Sequence, residues 1–467
     1  MSDLLSLLSR ARSSLGTHLT VSSTAASNIE NANTDGYARQ RVELATVTGA
    51  RGAGVAMLGG GATVLGITQA RDRFIEAQIP GALAAEARTR AEASALEGFH
   101  ALDNNAPGSL TVALANFYSG LRGLTQNPAD PTLRQSAVQG ASALAQSLRT
   151  TATAVATARE ALDDHVQGYL GEINSLAREM ADLNRAVRFA RASGAEPNEL
   201  LDARQRAQDR LAELTGATPI GDLSGDVAMA FPGGLALVSG DRAAQLSAEP
   251  DPANGGLSRF RLIRTDGTGP TAFPASSLGG FLGGSIDARD GTLATLARDL
   301  DTLAFELATA VNEVHAQGVG LDGTGGKALF TLPGEVGGAA LAIGVDPEIL
   351  ADPSRFAAAA PGEGTGGAEN LLTLIGTEAQ PLGDGLDVVG KLSSLVAGFG
   401  AAAGRARAAA DQNATLRENL EAMREATSGV SIDEEVIEMT KAQRAYQAVS
   451  KVIVAADEML ETLLNLR

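Results

Sequence analysis

The sequence predicts a mainly α protein with a small antiparallel β insert. Three long segments repeat apolar residues at alternating spacings of three and four, the heptad pattern of packed helices. Residues 217–276 instead carry Gly, Pro and Asp-Gly turns between short alternating runs, which is typical of strands. We therefore expect terminal helices that form a coiled coil, a discontinuous helical bundle, and a small antiparallel β-domain that interrupts this bundle.

Composition limits the classes of partner. At 467 residues the chain is too long for one compact core, so two or three domains are expected. The net charge of −18 argues against a nucleic-acid surface and against binding to an anionic membrane. No cysteine is present, and no stretch reaches the roughly 18 apolar residues of a membrane span. The sequence predicts no nucleic-acid partner and no membrane partner.

The first element, residues 1–44, is predicted as a helix from Asp3 to about Asn33, followed by an Asn-rich turn. Its narrow apolar stripe includes Leu4, Leu8, Leu15 and Ile29. Its start, MSDLLSLLSRARSS, lacks the basic and apolar regions of a cleaved secretory signal. Residues 45–70 are rich in Gly and β-branched residues, which predicts an extended linker or short strands.

The middle of the chain is predicted as one helical bundle in two parts, residues 71–216 and 277–426. A heptad seam from Leu162 to Val187 requires a partner helix, which Pro197 opens, so residues 165–215 should form an antiparallel hairpin. A second seam starts at Leu293 after the β insert. One further strand is predicted at residues 339–345, AALAIGV.

The last element, residues 427–467, is predicted as one long helix whose stripe keeps heptad spacing throughout. Neither terminal helix can bury its stripe alone. Each could cap the central bundle, or the two could pack on each other and on copies of themselves; we favour the second arrangement. The large residues of the C-terminal stripe are Met439, Tyr446, Val449, Ile453, Leu460 and Leu463.

The chain shows no motif for catalysis or cofactor binding. Its four histidines do not lie at metal-ligand spacing, and no cysteine could complete a site. Neither a phosphate-binding loop nor a nucleophile elbow occurs. The acidic pair Glu434 and Glu435 opens a helix, where it complements the helix dipole. We expect no enzyme activity, no cofactor and no metal.

Both ends of the chain resemble the flagellar axial proteins, the family of rod, hook and hook-associated proteins. The stretches are ASNIENANTDGYARQRVEL at 26–44 and residues 428–467. The interior segments 200–216, 278–323 and 341–359 resemble the hook-associated members most. The N-terminal positions that match the family pattern are Asn28, Ile29, Asn31, Asn33, Thr34, Gly36, Tyr37 and Arg39.

This resemblance implies a structural protein of the bacterial flagellum. The terminal helices would form the inner coiled coil D0, the bundle D1 and the β insert D2. It implies an extracellular ring at the hook–filament junction, built from subunits exported by the flagellar type III apparatus without a cleaved signal peptide. The implied partners are copies of the chain, hook protein, the second junction protein (hook-associated protein 3) and an export chaperone at the C-terminal helix.

The resemblance also implies which residues meet neighbouring subunits. Asp35 and Gly36 end the first helix, since Gly tolerates left-handed backbone, and Tyr37 and Arg39 would face neighbours. The alternative is a helix cap without further contacts. The expected interface comprises Leu4, Leu8, Leu15, Ile29, Asn31, Asn33, Gly36, Tyr37, Arg39, Met439, Tyr446, Val449, Ile453, Leu460 and Leu463.

Two alternatives stay open. Another axial protein, from the hook or rod, would share both ends, but hook protein is mostly β between them. A secreted enzyme or adhesin carried on a flagellar scaffold belongs to a different class. Its site would have to lie in residues 217–275, where the sequence has no histidine and no catalytic motif.

Overall fold

The computed structural model describes residues 2–34, 36–47, 61–99, 108–221, 225–364 and 366–465, and the side chains within them except those at 2, 3, 5 and 463–465. Its helices are α1 Ser2–Glu30, α2 Arg73–Glu97, α3 Leu110–Leu124, α4 Pro131–Ala192, α5 Asn198–Thr215, α6 Gly280–Ile286, α7 Leu293–His315, α8 Ala339–Ala342, α9 Pro347–Ala351, α10 Glu369–Gly376, α11 Val388–Ser428 and α12 Ile432–Asn465.

The strands form four small antiparallel sheets with the orders β1-β2, β3-β4-β5-β6, β7-β8-β9 and β10-β11. They are β1 Gln40–Thr46, β2 Ala62–Gln69, β3 Thr218–Gly221, β4 Val227–Ala230, β5 Ala236–Ser239, β6 Arg242–Ala243, β7 Gln245–Pro250, β8 Ser258–Ile263, β9 Thr271–Phe273, β10 Phe330–Thr331 and β11 Gly344–Val345. The predicted fold class, mainly α with a small β insert, is confirmed.

Helix α4 is the axis of the molecule. Its 62 residues make it about 93 Å long at the usual rise per residue. Its first half packs with α3, α7, α10 and the start of α11 in one hydrophobic core. Its second half packs with α5, α6 and the β insert in another. The predicted α4–α5 hairpin is present, and Val166, Ile173 and Met180 of its seam are fully buried.

The β insert shares a core with this hairpin. Met229, Phe231 and Phe260 of the insert lie in the same hydrophobic cluster as Ile173 and Leu211 of the hairpin. The insert therefore rests on the second half of α4, and its removal would expose the apolar seam there. For residues 45–70 the sequence predicted an extended linker or short strands. The described residues there belong mainly to strands, because the end of β1 pairs antiparallel with β2.

A buried ion pair fixes the place where the chain returns from the insert to the bundle. Between α6 and α7, residues 287–292 form a π-helical turn that carries Arg289 into the interior. Arg289 pairs with Asp163 of α4 and donates from Nη2 to the carbonyl of Ser258, at 2.9 Å. The Ser258 amide donates to the same carboxylate at 3.0 Å. These three polar contacts tie α4, β8 and the π turn together.

Glycine allows α6 to lie against α2. A Cβ at Gly284 would lie only 1.9 Å from the carbonyl oxygen of Arg88. Any larger residue would push the two helices apart. The glycine-rich run before the second seam is thus a packing surface.

The strand predicted at residues 339–345 is wrong over most of its length. Ala339–Ala342 form helix α8, and β11 keeps only Gly344–Val345. The Asp301 carboxylate accepts from the amides of Gly338 and Ala340, each at 2.9 Å, and so holds the first turn of α8. A short apolar run alone does not distinguish a strand from a helix.

His315 is buried at the end of α7 and uses both ring nitrogens. The Ala357 amide donates to Nε2 at 3.0 Å, so Nδ1 carries the proton and donates to the Lys327 carbonyl at 2.8 Å. Phe356 packs edge-on against the ring. Burial lowers the pKa of His315. The hydrogen bond with the Lys327 carbonyl and the negative charge of Asp346 oppose this effect but are weaker.

We expect His315 to make folding sensitive to mild acid. Its native pKa lies below its unfolded value of about 6.5, so its stabilising effect is complete above that pH and is lost as the pH falls. The loss approaches about 1.4 kcal/mol per pH unit. The free energy of unfolding, measured in urea between pH 7.5 and 5.5, should show this slope in the wild type. The control variant His165→Gln should show it too, because His165 is exposed.

The His315→Gln variant should lose most of the slope, although its stability at pH 7.5 is lower. An unchanged slope in His315→Gln would show that another group causes the acid sensitivity.

Candidate functional site

The two terminal helices pack side by side along their lengths. The deepest positions of the seam are small: Ala11 and Ala25 of α1 meet the helix that carries Ala442 and Ala456, and all four are buried. Small side chains let the two backbones approach closely. The larger residues predicted for this seam flank it and are half-buried, namely Leu4, Leu8, Leu15, Ile29, Met439, Val449, Ile453 and Leu460.

Two predicted positions differ from this description. Tyr446 lies at the edge of the seam and is 41% exposed. The side chain of Leu463 lies outside the described residues.

Helix α12 also carries large apolar side chains that its seam with α1 leaves exposed, and we call this set its outer face. Seven large apolar side chains in this 34-residue helix are at least 41% exposed. Large apolar side chains exposed at this density on a folded chain mark an interaction site. The outer face comprises Ile432, Val436, Ile437, Tyr446, Val452, Val454 and Met459.

Asn28, in the last turn of α1, is the centre of the polar contacts that hold the turn after this helix. Its side chain is buried, and every described hydrogen bond it forms is with residues 37–40 or with α12. Its Oδ1 accepts from the Tyr37 hydroxyl and from the Gln40 amide, both at 2.9 Å. Its Nδ2 donates to the Gln40 carbonyl and to Glu435 Oε2, also at 2.9 Å. Asn28 therefore joins its own turn to the C-terminal helix.

Arg39 forms the second connection between the two ends. Its Nη2 lies 2.6 Å from Glu435 Oε1, and its Nη1 donates to Glu434 Oε2 at 2.8 Å. Its amide donates to the Ser428 carbonyl at the end of α11, at 2.9 Å. Glu435 is only 3% exposed, so its charge depends on Arg39 and Asn28 for compensation.

These contacts form what we call the end-joining network: Asn28, Tyr37, Arg39, Gln40 and Glu435. Burial raises the pKa of the Tyr37 phenol, which stays protonated and donates to Asn28. Burial alone would lower the pKa of Arg39, but the charges and hydrogen bonds of Glu435 and Glu434 outweigh it and raise that pKa. Tyr37 and Arg39 therefore both keep their protons at neutral pH and can donate to Asn28 and to the two carboxylates.

The turn is also fixed to the helical bundle. Gly36 has a φ of 73°, and a Cβ there would lie 2.7 Å from Cγ of Arg206 on α5. Arg71 pairs with the buried Asp202 of α5 at 2.5 Å. Gln69 Nε2 donates to the same carboxylate at 2.7 Å. The N-terminal helix thus leaves the bundle from a fixed point.

The predicted turn residues thus serve contacts within the chain. Asn31 donates from Nδ2 to the Ser27 carbonyl at 2.9 Å and caps the end of α1, whereas Asn33 is exposed. The polar atoms of Tyr37 and Arg39 are used inside the molecule, so the simple cap without further contacts is excluded. Asp35 lies outside the described residues.

Sequence reasoning missed the roles of Asn28 and Glu435. Glu435 was interpreted as a charge that complements the dipole of α12. A buried carboxylate needs a cation, but which of the chain's 37 Lys and Arg residues supplies it depends on packing across almost 400 residues. The signal available was the place of Asn28 in the N-terminal motif and of Glu435 in the C-terminal one.

Among the described side chains, no three His, Cys, Asp or Glu residues converge as metal ligands would. No helix in the described part of the chain combines the length and apolarity needed to cross a membrane.

Two protein-family models match the chain. A model described as the flagellar hook-associated protein FlgK helical domain covers residues 100–330. A model described as the C-terminal region of the flagellar basal body rod FlgEFG proteins covers residues 425–466, which include α12 and Glu435.

Relatives with the name flagellar hook-associated protein 1 align with much of the chain. The protein from Salmonella typhimurium is 29% identical, over 70% of this chain and 59% of its own length. The protein from Bacillus subtilis is 27% identical, over 98% of this chain and 97% of its own length. The chain thus aligns with somewhat under two thirds of the Salmonella relative and with nearly the whole of the Bacillus relative.

A solved structure shares the fold. It is described as the flagellar hook junction protein FlgK from Burkholderia pseudomallei and superposes with a TM-score of 0.67. The match covers 75% of this chain and 100% of that chain at 16% identity, which shows the fold alone.

We expect Glu435→Ala to release the two ends from each other. Breaking a buried pair on one side leaves Arg39 and Asn28 without their partner, at a cost on the order of 3 kcal/mol. The matched control is Glu434→Ala, because Glu434 binds the same arginine but its side chain is 62% exposed. Its loss should cost at most about 1 kcal/mol.

Amide hydrogen exchange measures this local stability. The amides of Arg39 and Gln40, which donate to Ser428 and Asn28, should exchange much faster in Glu435→Ala than in Glu434→Ala. Equal protection in both variants would mean that the network does not hold the ends.

Proposed function

Because the chain belongs to the FlgK family of flagellar hook-associated proteins, a family of structural components of the flagellar axis, we propose that it joins the hook to the filament as a ring at their junction. The observation that carries the proposal is the outer face of α12. Its apolar side chains have no cover within the described chain, and in a ring the neighbouring copies would bury them.

The end-joining network suits this role. It holds α1 and α12 together in one chain through Asn28 and Arg39, so each subunit would present its terminal helices as one preformed unit. The contacts of Gly36 and Arg71 with α5 separately fix the turn after α1 to the bundle. Force passed along the helix pair would reach the bundle through these polar contacts.

The proposed partners are copies of the chain, hook protein on one side and hook-associated protein 3 on the other. An export chaperone would cover the C-terminal helix before assembly, because the outer face of α12 would otherwise cause premature association. The site of action would be the extracellular hook–filament junction, reached through the flagellar export apparatus without a cleaved signal peptide.

A second candidate is another axial role, in the rod or the hook. The match of residues 425–466 to the rod-type C-terminal model favours it, because that element is common to the axial proteins. The match of residues 100–330 to the FlgK helical domain favours the junction instead. An enzyme or adhesin has no comparable support, since the relatives are named as hook-associated proteins.

Electron microscopy of cells that lack the gene separates these roles. A junction protein predicts complete hooks without filaments and flagellin released into the medium. A rod role predicts cells without hooks. Complete hooks with attached filaments would contradict both axial roles.

We expect Ile437→Asp to block assembly without unfolding the subunit. Ile437 is 54% exposed on the outer face, so a charge there costs little in the monomer, but burial against a neighbour would cost several kcal/mol per contact. The matched control is Ile437→Leu, which keeps the apolar surface. Complementation of the deletion strain should restore filaments with Ile437→Leu only.

Circular dichroism should show the same helix content for both variants. By contrast, Ile453→Asp changes a half-buried residue of the seam with α1 and should weaken the helix pair itself. Normal filaments from an Ile437→Asp strain would mean that the outer face is not an assembly surface.

A further inference from the structure

The bundle has a large acidic cleft between α7 and α11, bordered by α2 and the π turn. Its volume is about 1090 Å³, and its lining includes six carboxylates but only two cations, Lys391 and Arg405. Its floor is apolar, with Leu296, Leu395 and Phe399. A cleft of this size could hold an aromatic side chain together with the charged side chains beside it.

Two of the carboxylates in the acidic cleft have no salt-bridge partner within 4.0 Å among the described residues. Asp287 pairs with Arg88 at 2.7 Å, and Lys391 pairs with Glu306 and Asp384. Glu92 and Asp299 have no ion pair among the described residues. Burial, followed by the charge of Asp287, raises the pKa of Glu92 against the weaker opposing charges of Arg88 and Arg405. The cleft is therefore suited to a ligand that brings a cation and an apolar group together.

The end of α4 carries a surface of the opposite kind, which we call the Arg–Phe tip: Arg185, Arg188, Phe189 and Arg191. Phe189 is 78% exposed, although the whole chain contains only 12 phenylalanines and no tryptophan. Arg188 pairs with Asp226 and Asp241. Arg191 has no carboxylate within 4.0 Å among the described residues. Burial lowers the pKa of Arg204, and the charge of the neighbouring Arg191 lowers it further.

The Arg–Phe tip cannot reach the acidic cleft of its own chain. The cleft lies level with Asp163 of α4, because Arg289 in the bordering π turn pairs with that residue. Phe189 follows Asp163 by 26 residues in one continuous helix, so the two residues lie about 39 Å apart. Any contact between the two surfaces must therefore join different copies.

We propose that the Arg–Phe tip of one copy docks in the acidic cleft of the next, with Phe189 on the apolar floor and Arg191 near Glu92 and Asp299. The contact is head-to-tail, because two different patches meet, and such contacts generate rings when the rotation between copies closes. This inference rests on the proposed ring and adds a contact outside the terminal helices.

Cross-linking of the full chain tests the contact directly, because the sequence has no cysteine to interfere. Purified Phe189→Cys protein is mixed at high concentration with Thr295→Cys protein, whose exposed new thiol lies at the edge of the cleft. A short bismaleimide reagent should link the two into a covalent dimer. Either variant alone should give little dimer, since a head-to-tail contact does not bring like positions together.

The matched control is Ser175→Cys, an exposed position 14 residues earlier on α4, which should link to Thr295→Cys several-fold less. Adding Asp299→Arg to the Thr295→Cys protein should lower the yield, and adding Arg191→Glu to the Phe189→Cys protein should restore it. High salt should also lower the yield, since it screens exposed charges.

Equal yields for the Phe189→Cys and Ser175→Cys mixtures would overturn the inference, whether or not the protein assembles. Sedimentation of assembled particles from the same samples reports separately on the ring. Pelleted particles without the specific cross-link would leave the ring proposal intact and exclude this contact. Absence of particles at any concentration would count against the ring itself.

Discussion

The buried carboxylate of Glu435 is the constraint on which the arrangement of the two ends depends. A charge that is only 3% exposed must be compensated, and Arg39 and Asn28, about 400 residues away in the chain, provide the compensation. With these contacts formed, α1 ends where α12 begins, and the small residues of their seam come into register. The same turn rests on α5 through Gly36, so the direction of the helix pair is set by the bundle.

Helix α4 gives the rest of the molecule its continuity. It runs through both hydrophobic cores, and the Asp163–Arg289 pair joins its middle to the β insert and to the π turn before α7. The two cores therefore share one continuous helix, while the outer face of α12 is an apolar surface that a single described chain leaves uncovered. A continuous interior and an exposed apolar surface on the terminal helix pair suit the proposed role as a subunit of an assembly.

Periodicity predicted those parts of the fold that depend on local pattern. The seams in α4, α7 and α12 follow directly from the spacing of apolar residues, and Pro197 and Gly216 mark the hairpin. The strand prediction at residues 339–345 was wrong because Asp301, which is distant in sequence, stabilises a helical turn there. The end-joining network was missed for the same reason: the partner of a buried polar group is decided by tertiary packing, which a single sequence does not display.

The most direct test of this account is a cryo-electron microscopy map of the assembled particle, resolved well enough to place side chains. The account predicts that Arg39 and Glu435 of the same chain remain paired in every subunit, and that Ile437, Val452 and Met459 are buried against neighbouring copies. A map in which Glu435 pairs with Arg39 of a different chain, or in which the outer face of α12 faces open solvent, would contradict it.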